Sequence, residues 1–192
     1  MAFAPTSERT YTYGDYRTWP EDQRWEIIEG RAYAMTGPRR IHQQVSGEIF
    51  RQIANHLLNA KCQVYAAPFD VRLPKSDEAD DDIETVVQPD IVVVCDSTKL
   101  DDAGCRGAPD LIMEVLSPST AGKDQVKKLE LYEKHGVREY WIIDPTEQVA
   151  LLRTLDDDES FSAPSTFALD AQPSGKVLGN FKLNLELVFR RN

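Results

Sequence analysis

The sequence predicts an α/β fold, of mixed α+β character, in which a central mixed β-sheet is flanked by helices, and three observations predict it. Two nearly continuous apolar runs, in TVVQPDIVVVCD from Thr85 and PDLIMEVL from Pro109, suit central strands covered on both faces. Ile41, Val45, Ile49, Ile53 and Leu57 are spaced by four and place one apolar stripe along a helix. The element order is hairpin, helix, three strands, helix, strand and a β-rich C-terminal tail, which calls for a sheet with helices packed on it.

Taken in chain order, residues 1–20 read as an N-terminal extension. WEIIEGRAYAM, from Trp25, puts short apolar runs on either side of Glu29-Gly30, a two-residue turn that closes a β-hairpin. The first long helix runs from Ile41 to near Asn59. QVYAAPFDVRL from Gln63 is the first of the three strands, and acidic or Gly-containing loops separate it from the two apolar runs. SPST then offers Ser119 and Thr120 as hydroxyl N-caps for a second helix, which ends near His135 because Gly136 follows. EYWIID is another buried strand, closed by Pro145. QVALLRTL, STFAL and FKLNLELVF read as strands, the last alternating Phe181, Leu183, Leu185, Leu187 and Phe189 with polar residues.

At 192 residues and 41% apolar composition, one domain with one substantial core is the expectation. No run of about 18 apolar residues exists and the N-terminus lacks a signal pattern, so a cytoplasmic protein without a membrane partner is expected. Cys62, Cys95 and Cys105 are odd in number and lack CxxC spacing, so they read as ordinary thiols. The net charge of −10 sits entirely in two runs, Asp77 to Glu84 and Asp156 to Glu159, which read as solvated loops. Net charge therefore neither supports nor excludes a nucleic-acid substrate.

The chemistry concentrates where a charge is costly. Glu114 sits mid-strand on the face of Ile112 and Leu116, and an ionised carboxylate there must be protonated, paired or bound to a cation. Asp90, just before IVVV, could share a divalent ion with it if the two strands are neighbours. Asp110 lies on the same strand as Glu114, but four residues span about 13 Å, too far to share an ion whose oxygen ligands sit at about 2.1 Å. On the second helix Lys128 falls inside the apolar arc of Val126, Leu129, Leu131 and Tyr132, whereas Lys127, Glu130 and Lys134 point outward. Lys128 either snorkels to water or serves a site beside Glu114. His42 lies on the buried face of the first helix, as a hydrogen-bonded core residue or a phosphate contact. Glu26 in the hairpin is an exposed strand charge or a further site carboxylate. Glu48 reads as a solvated charge.

PD at 89 and 90, the segment PDLIMEVLSPST and the segment KDQVKKLELYEKHGVREYWIIDP resemble the Uma-type putative restriction endonuclease family of the PD-(D/E)XK superfamily. The likeness runs from WEIIEG to FKLNLELVF. It implies a restriction-endonuclease-like sheet and Mg2+-dependent cleavage of DNA, with Mn2+ as a substitute ion. It assigns Asp90 and Glu114 as metal-binding and catalytic residues. The lysine position of the motif holds Leu116, and the resemblance implies that Lys128 replaces it. Glu26 and His42 fall where the family also carries Glu and His, in supporting roles.

Two other readings stay open: a catalytically inactive nucleic-acid-binding or regulatory module of the same fold, and hydrolysis of a phosphoester outside nucleic acids, suggested by the lack of a basic or aromatic stripe. The Leu- and Phe-rich tail either leaves apolar surface for a homodimer or closes the core.

Overall fold

The computed structural model describes residues 9–117 and 123–190, with the side chains of 123–125 left aside. After a short helix α1 (Tyr13–Tyr16), the hairpin forms from β1 (Trp25–Ile28) and β2 (Arg31–Ala34). Glu29 and Gly30 both take positive φ, 48° and 76°, the pair of left-handed conformations that this tight turn requires. Helix α2 (Arg40–His56) follows. Its stripe is buried as the spacing predicts, with Val45, Ile49 and Ile53 at 0% exposure and Ile41 and Leu57 packed partly against them.

The first two strand candidates each divide in two. QVYAAPFDVRL forms β3 (Gln63–Ala66) and β4 (Val71–Arg72), and TVVQPDIVVVCD forms β5 (Val86–Val87) and β6 (Ile91–Val94). Pro68, with a cis peptide bond, and Pro89 stand in the breaks. Neither proline can donate to a ladder, so each run turns there and continues in another sheet. Then come β7 (Leu100–Asp101), β8 (Gly104–Arg106), β9 (Leu111–Val115), α3 (Lys123–Lys134), β10 (Glu139–Asp144), β11 (Val149–Thr154) and β12 (Ser165–Phe167). Gly136, at φ 82°, ends α3 as expected. The expected caps Ser119 and Thr120 lie outside the described residues.

Two mixed six-stranded sheets result, one ordered β2-β1-β5-β4-β8-β7 and the other β12-β11-β10-β9-β6-β3. In the second sheet β6 and β9 are interior neighbours, as their apolar runs require, and alternation along them serves two packing layers. Ile91, Val93, Leu111 and Met113 pack against the α2 stripe and the C-terminal tail. Val92, Val94 and Ile112 face Leu131 and Tyr132 of α3 together with Ile28, Val71 and Val87 of the first sheet. Each fully buried aliphatic or aromatic side chain here contributes about 1.5–3 kcal/mol.

The structure corrects several local expectations. FKLNLELVF is not a strand: Asn184 accepts the Leu187 N–H and opens a short helix, α4 (Leu185–Val188). Phe181, Leu183, Leu185 and Phe189 are nonetheless buried, so the tail closes the core, and only Leu187 of that series is exposed. Val126 is 56% exposed rather than part of the α3 face. The acidic run is not simply solvated either. Asp80 bonds both Arg106 and the buried Arg72, Asp81 pairs with Arg17 and Glu84 with Lys75. From residue 9 onward the N-terminal segment packs on this layer, with Tyr11 and Tyr13 each 4% exposed.

Cys62 and Cys95 are not free thiols but a disulfide, closing a sequence separation of 33. They directly extend the antiparallel β3–β6 register, in which Gln63 faces Val94. Cys105 is free and buried. Reducing the bridge is expected to lower stability by about 2–4 kcal/mol, because it releases a loop constraint on the unfolded chain. Urea melts with and without reductant measure this, and coincident midpoints would mean that the bridge contributes nothing. No helix among the described residues is long and apolar enough to cross a membrane.

Candidate active site

The site forms where the two sheets and the helices α2 and α3 meet. Antiparallel pairing of β6 with β9 sets Ile91 opposite Met113. One step outward along the same register, Asp90 stands opposite Glu114, which supplies the strand adjacency that a shared ion requires. Asp110 is engaged at the other end of β9, accepting from the Cys95 N–H at 2.8 Å and pairing with Arg138 at 3.0 Å.

Each carboxylate is held through one oxygen. Asp90 Oδ2 accepts the Val115 N–H at 2.8 Å and lies 3.1 Å from His42 Nε2, so α2 and β9 both position it. Glu114 Oε1 accepts from Lys128 Nζ at 2.9 Å and from the Tyr132 hydroxyl at 2.8 Å, both on α3. Among the described residues, Asp90 Oδ1 and Glu114 Oε2 accept no hydrogen bond. Lys128 does not snorkel outward. Its Nζ also donates to Glu26 Oε1 at 2.9 Å, and the same oxygen accepts the Gln88 N–H at 2.9 Å. The Gln88 side chain in turn accepts from Arg24 and donates to Asp70 and the Tyr16 hydroxyl.

All five sequence-predicted residues therefore converge, in two linked groups: His42 with Asp90, and Glu26 with Lys128 and Glu114. Glu26 is buried rather than an exposed strand charge, at 7% exposure. Sequence reasoning missed Tyr132, which reads only as apolar, and Gln88. A polar Gln between the apolar Val87 and the PD pair is the signal for the latter. It also missed Tyr33, which is paired with Glu26 in the hairpin and so lies on the same face.

Electrostatics follow the burial. Removal from water lifts the Glu114 carboxyl to about 7 against the pull of Lys128, and Asp90 and Glu26 push in the same upward direction. Burial would lower the Lys128 ammonium, but Glu114 and Glu26 overcome it and hold the lysine protonated, raised above its usual range. His42 is likewise pulled down by burial and raised on balance by its bond to Asp90. The group lies on the floor of a cleft of about 710 Å³, whose walls include Arg24, Tyr33, Arg39 and Phe50.

Among the described residues no three His, Cys, Asp or Glu side chains are grouped to cage a metal ion. Among the described residues the donor set is a carboxylate pair, each member tethered through one oxygen. That fits Mg2+, which commonly takes one or two protein carboxylates and completes its shell with water and substrate phosphate.

A model of the Uma2 family, described as "Putative restriction endonuclease", matches residues 13–186 of the chain. A protein of Synechocystis sp., "Uncharacterized protein slr1290", is 27% identical over 149 residues, 76% of this chain and 75% of that protein. In fold the chain is similar to the crystal structure of "a putative nuclease belonging to DUF820" from Anabaena variabilis. The TM-score is 0.74 at 20% identity, covering 93% of this chain and 97% of that one.

Proposed function

The chain belongs to the Uma2 family of putative restriction endonucleases, and from that premise we propose that it is a Mg2+-dependent endonuclease hydrolysing phosphodiester bonds of DNA. The observation that carries this reading is the register pairing of Asp90 with Glu114, with Lys128 Nζ 2.9 Å from Glu114, on the floor of an open cleft. Asp90 and Glu114 would hold the ion, and Mn2+ would substitute for Mg2+. A bound ion supplies Lewis-acid polarisation and neutralises charge at the scissile phosphate.

The chain's own residues do the rest. His42 and the Val115 N–H fix Asp90, while Tyr132 and Lys128 fix Glu114, so both carboxylates are preorganised before substrate enters. Glu26 is a positioning residue, holding the ammonium beside the carboxylate pair. Lys128, kept protonated, would donate to a phosphate oxygen as negative charge grows on it, in the role that the motif's missing lysine would play.

Calorimetry with Mg2+ and Mn2+ tests the ion site. Wild-type protein is expected to show a binding heat that Glu114→Ala removes, with affinity down by at least about 10–100-fold. Equal heats in both proteins, or none in either, would favour the inactive module. The closed contact of Lys128 with two carboxylates suits that second reading, because such a cluster holds a fold together without turnover.

A further inference from the structure

Resting on the phosphodiester reading, we infer that the cleft takes an unpaired DNA strand laid along α2, rather than the face of an intact duplex. The groups at its floor are recessed: side-chain exposure is 9% for Glu26, 13% for Glu114, 14% for Lys128 and 16% for Asp90. A scissile phosphate has to descend between the walls to meet them. A duplex carries its phosphates on a stiff cylinder and is held by neutralising many of them over a wide basic surface. Among the described residues the basic side chains that line the cleft are Arg24, Arg39 and Lys128. Arg39, at the start of α2, makes no side-chain hydrogen bond or ion pair among the described residues and is exposed. That is enough charge for a few phosphates of one strand.

The walls suit bases as well. His42, Ser46 and Phe50 follow one another on successive turns of α2 and line the cleft. The eight steps from His42 to Phe50 cover about 12 Å of helix, the length of about three to four nucleotides at about 3.4 Å per step of one strand. Tyr33, opposite Glu26 in the hairpin register, also lines the cleft, with Lys127 Nζ 5.0 Å from its ring centroid and donating to its hydroxyl, and Phe50 lies at the far end of the helical stripe. Aromatic rings along a groove are what single strands stack their bases on, and paired bases inside a duplex do not offer those faces. Gly47 lies on the same wall, and a Cβ there would meet no atom within 4 Å, so the space beside it is open.

The test compares a mixed-sequence single-stranded oligodeoxynucleotide, its perfect duplex, and the duplex with a central unpaired bubble. Binding is read by fluorescence anisotropy and cleavage in Mn2+ on gels. The single strand and the bubble are expected to bind and be cut at least about tenfold better than the duplex, with cuts confined to unpaired nucleotides. Tyr33→Ala is expected to weaken single-strand binding about tenfold. Gly47→Leu fills open space on a helix with a good helix former, so its thermal melt should be unchanged or slightly raised while binding and cleavage of the single strand fall about tenfold. Equal or better use of the perfect duplex, no binding of any oligonucleotide, or indifference to Gly47→Leu would overturn the inference. Single-strand binding that Gly47→Leu weakens, with none of the substrates cut, would instead sink the nuclease reading and leave the strand site standing.

Discussion

Lys128→Met is expected to lower cleavage by about 100- to 1,000-fold and to lower fold stability by about 3–5 kcal/mol. Both effects have one origin. Glu26 and Glu114 share the lysine Nζ at 2.9 Å each, and all three side chains are at least five-sixths buried. Deleting the ammonium leaves two carboxylates facing each other out of water, and neither desolvation nor repulsion is then offset. The pH dependence follows from the same geometry. Burial already lifts Glu114 to about 7 in the native protein, and removing Lys128 takes away its main opposing influence. A carboxyl raised in the folded state holds a proton that the unfolded chain releases. The stability deficit should therefore be greatest above neutrality and shrink as pH falls towards the ordinary carboxylate range. Urea melts across that window check this. The double variant Glu26→Gln with Lys128→Met separates structure from chemistry, because removing one carboxylate relieves the repulsion without restoring a cation. Stability should recover in part and cleavage should not. Full turnover in a folded Lys128→Met protein would reduce Lys128 to a structural ion pair.

Much of this site is legible in the amino-acid pattern because the physics that makes it costly also makes it visible. Glu114 interrupts LIMEV, an otherwise apolar strand that needs both faces covered, and Lys128 falls in the arc of α3 that should face the core. Two opposite charges, each on a buried face, have few places to go except towards each other. His42 carries a weaker form of the same signal. Glu26 does not, because a four-residue strand in a hairpin commonly has one face in water. Its carboxylate is taken up by the Gln88 N–H and by Lys128 of α3, long-range contacts that periodicity does not encode.

What local pattern does not reach is the division into two sheets. QVYAAPFDVRL and TVVQPDIVVV have the residue content of single strands. The prolines at 68 and 89 are the available punctuation, and reading them as breaks separates β3 from β4 and β5 from β6. Those breaks matter to the site, since the turn at Pro89 places Gln88 against Glu26 while Asp90 faces Glu114. The tail fails differently. Alternating Leu and Phe suits a strand and a short amphipathic turn almost equally, and the Asn184 cap, together with packing against α2, decides for the helix. Counted as a set of three, the cysteines look like separate thiols, whereas the strand register singles out Cys62 and Cys95 as a facing pair.

Asp90→Ala is expected to reduce cleavage by about 1,000-fold or more, as loss of several kcal/mol of charge stabilisation at the phosphate implies. The fold should survive with a smaller loss. Asp90 Oδ2 is the acceptor for the Val115 N–H and the partner of His42, and an alanine leaves both without it, at a cost of about 1–3 kcal/mol for the buried donor. Asp90→Asn makes the discriminating comparison. Its side-chain oxygen can still accept the Val115 N–H, so most of the stability returns, but the negative charge needed by a divalent cation does not. A melt near wild type with no Mn2+ binding heat and no turnover would assign Asp90 to the ion. If Asp90→Ala still cuts DNA at an undiminished rate, the pairing across β6 and β9 is an architectural contact and the catalytic centre lies elsewhere. The asparagine variant also guards against misreading a collapsed alanine variant as a catalytic effect, since it keeps a side-chain acceptor for the Val115 N–H, the bond that joins β9 to the residue before β6.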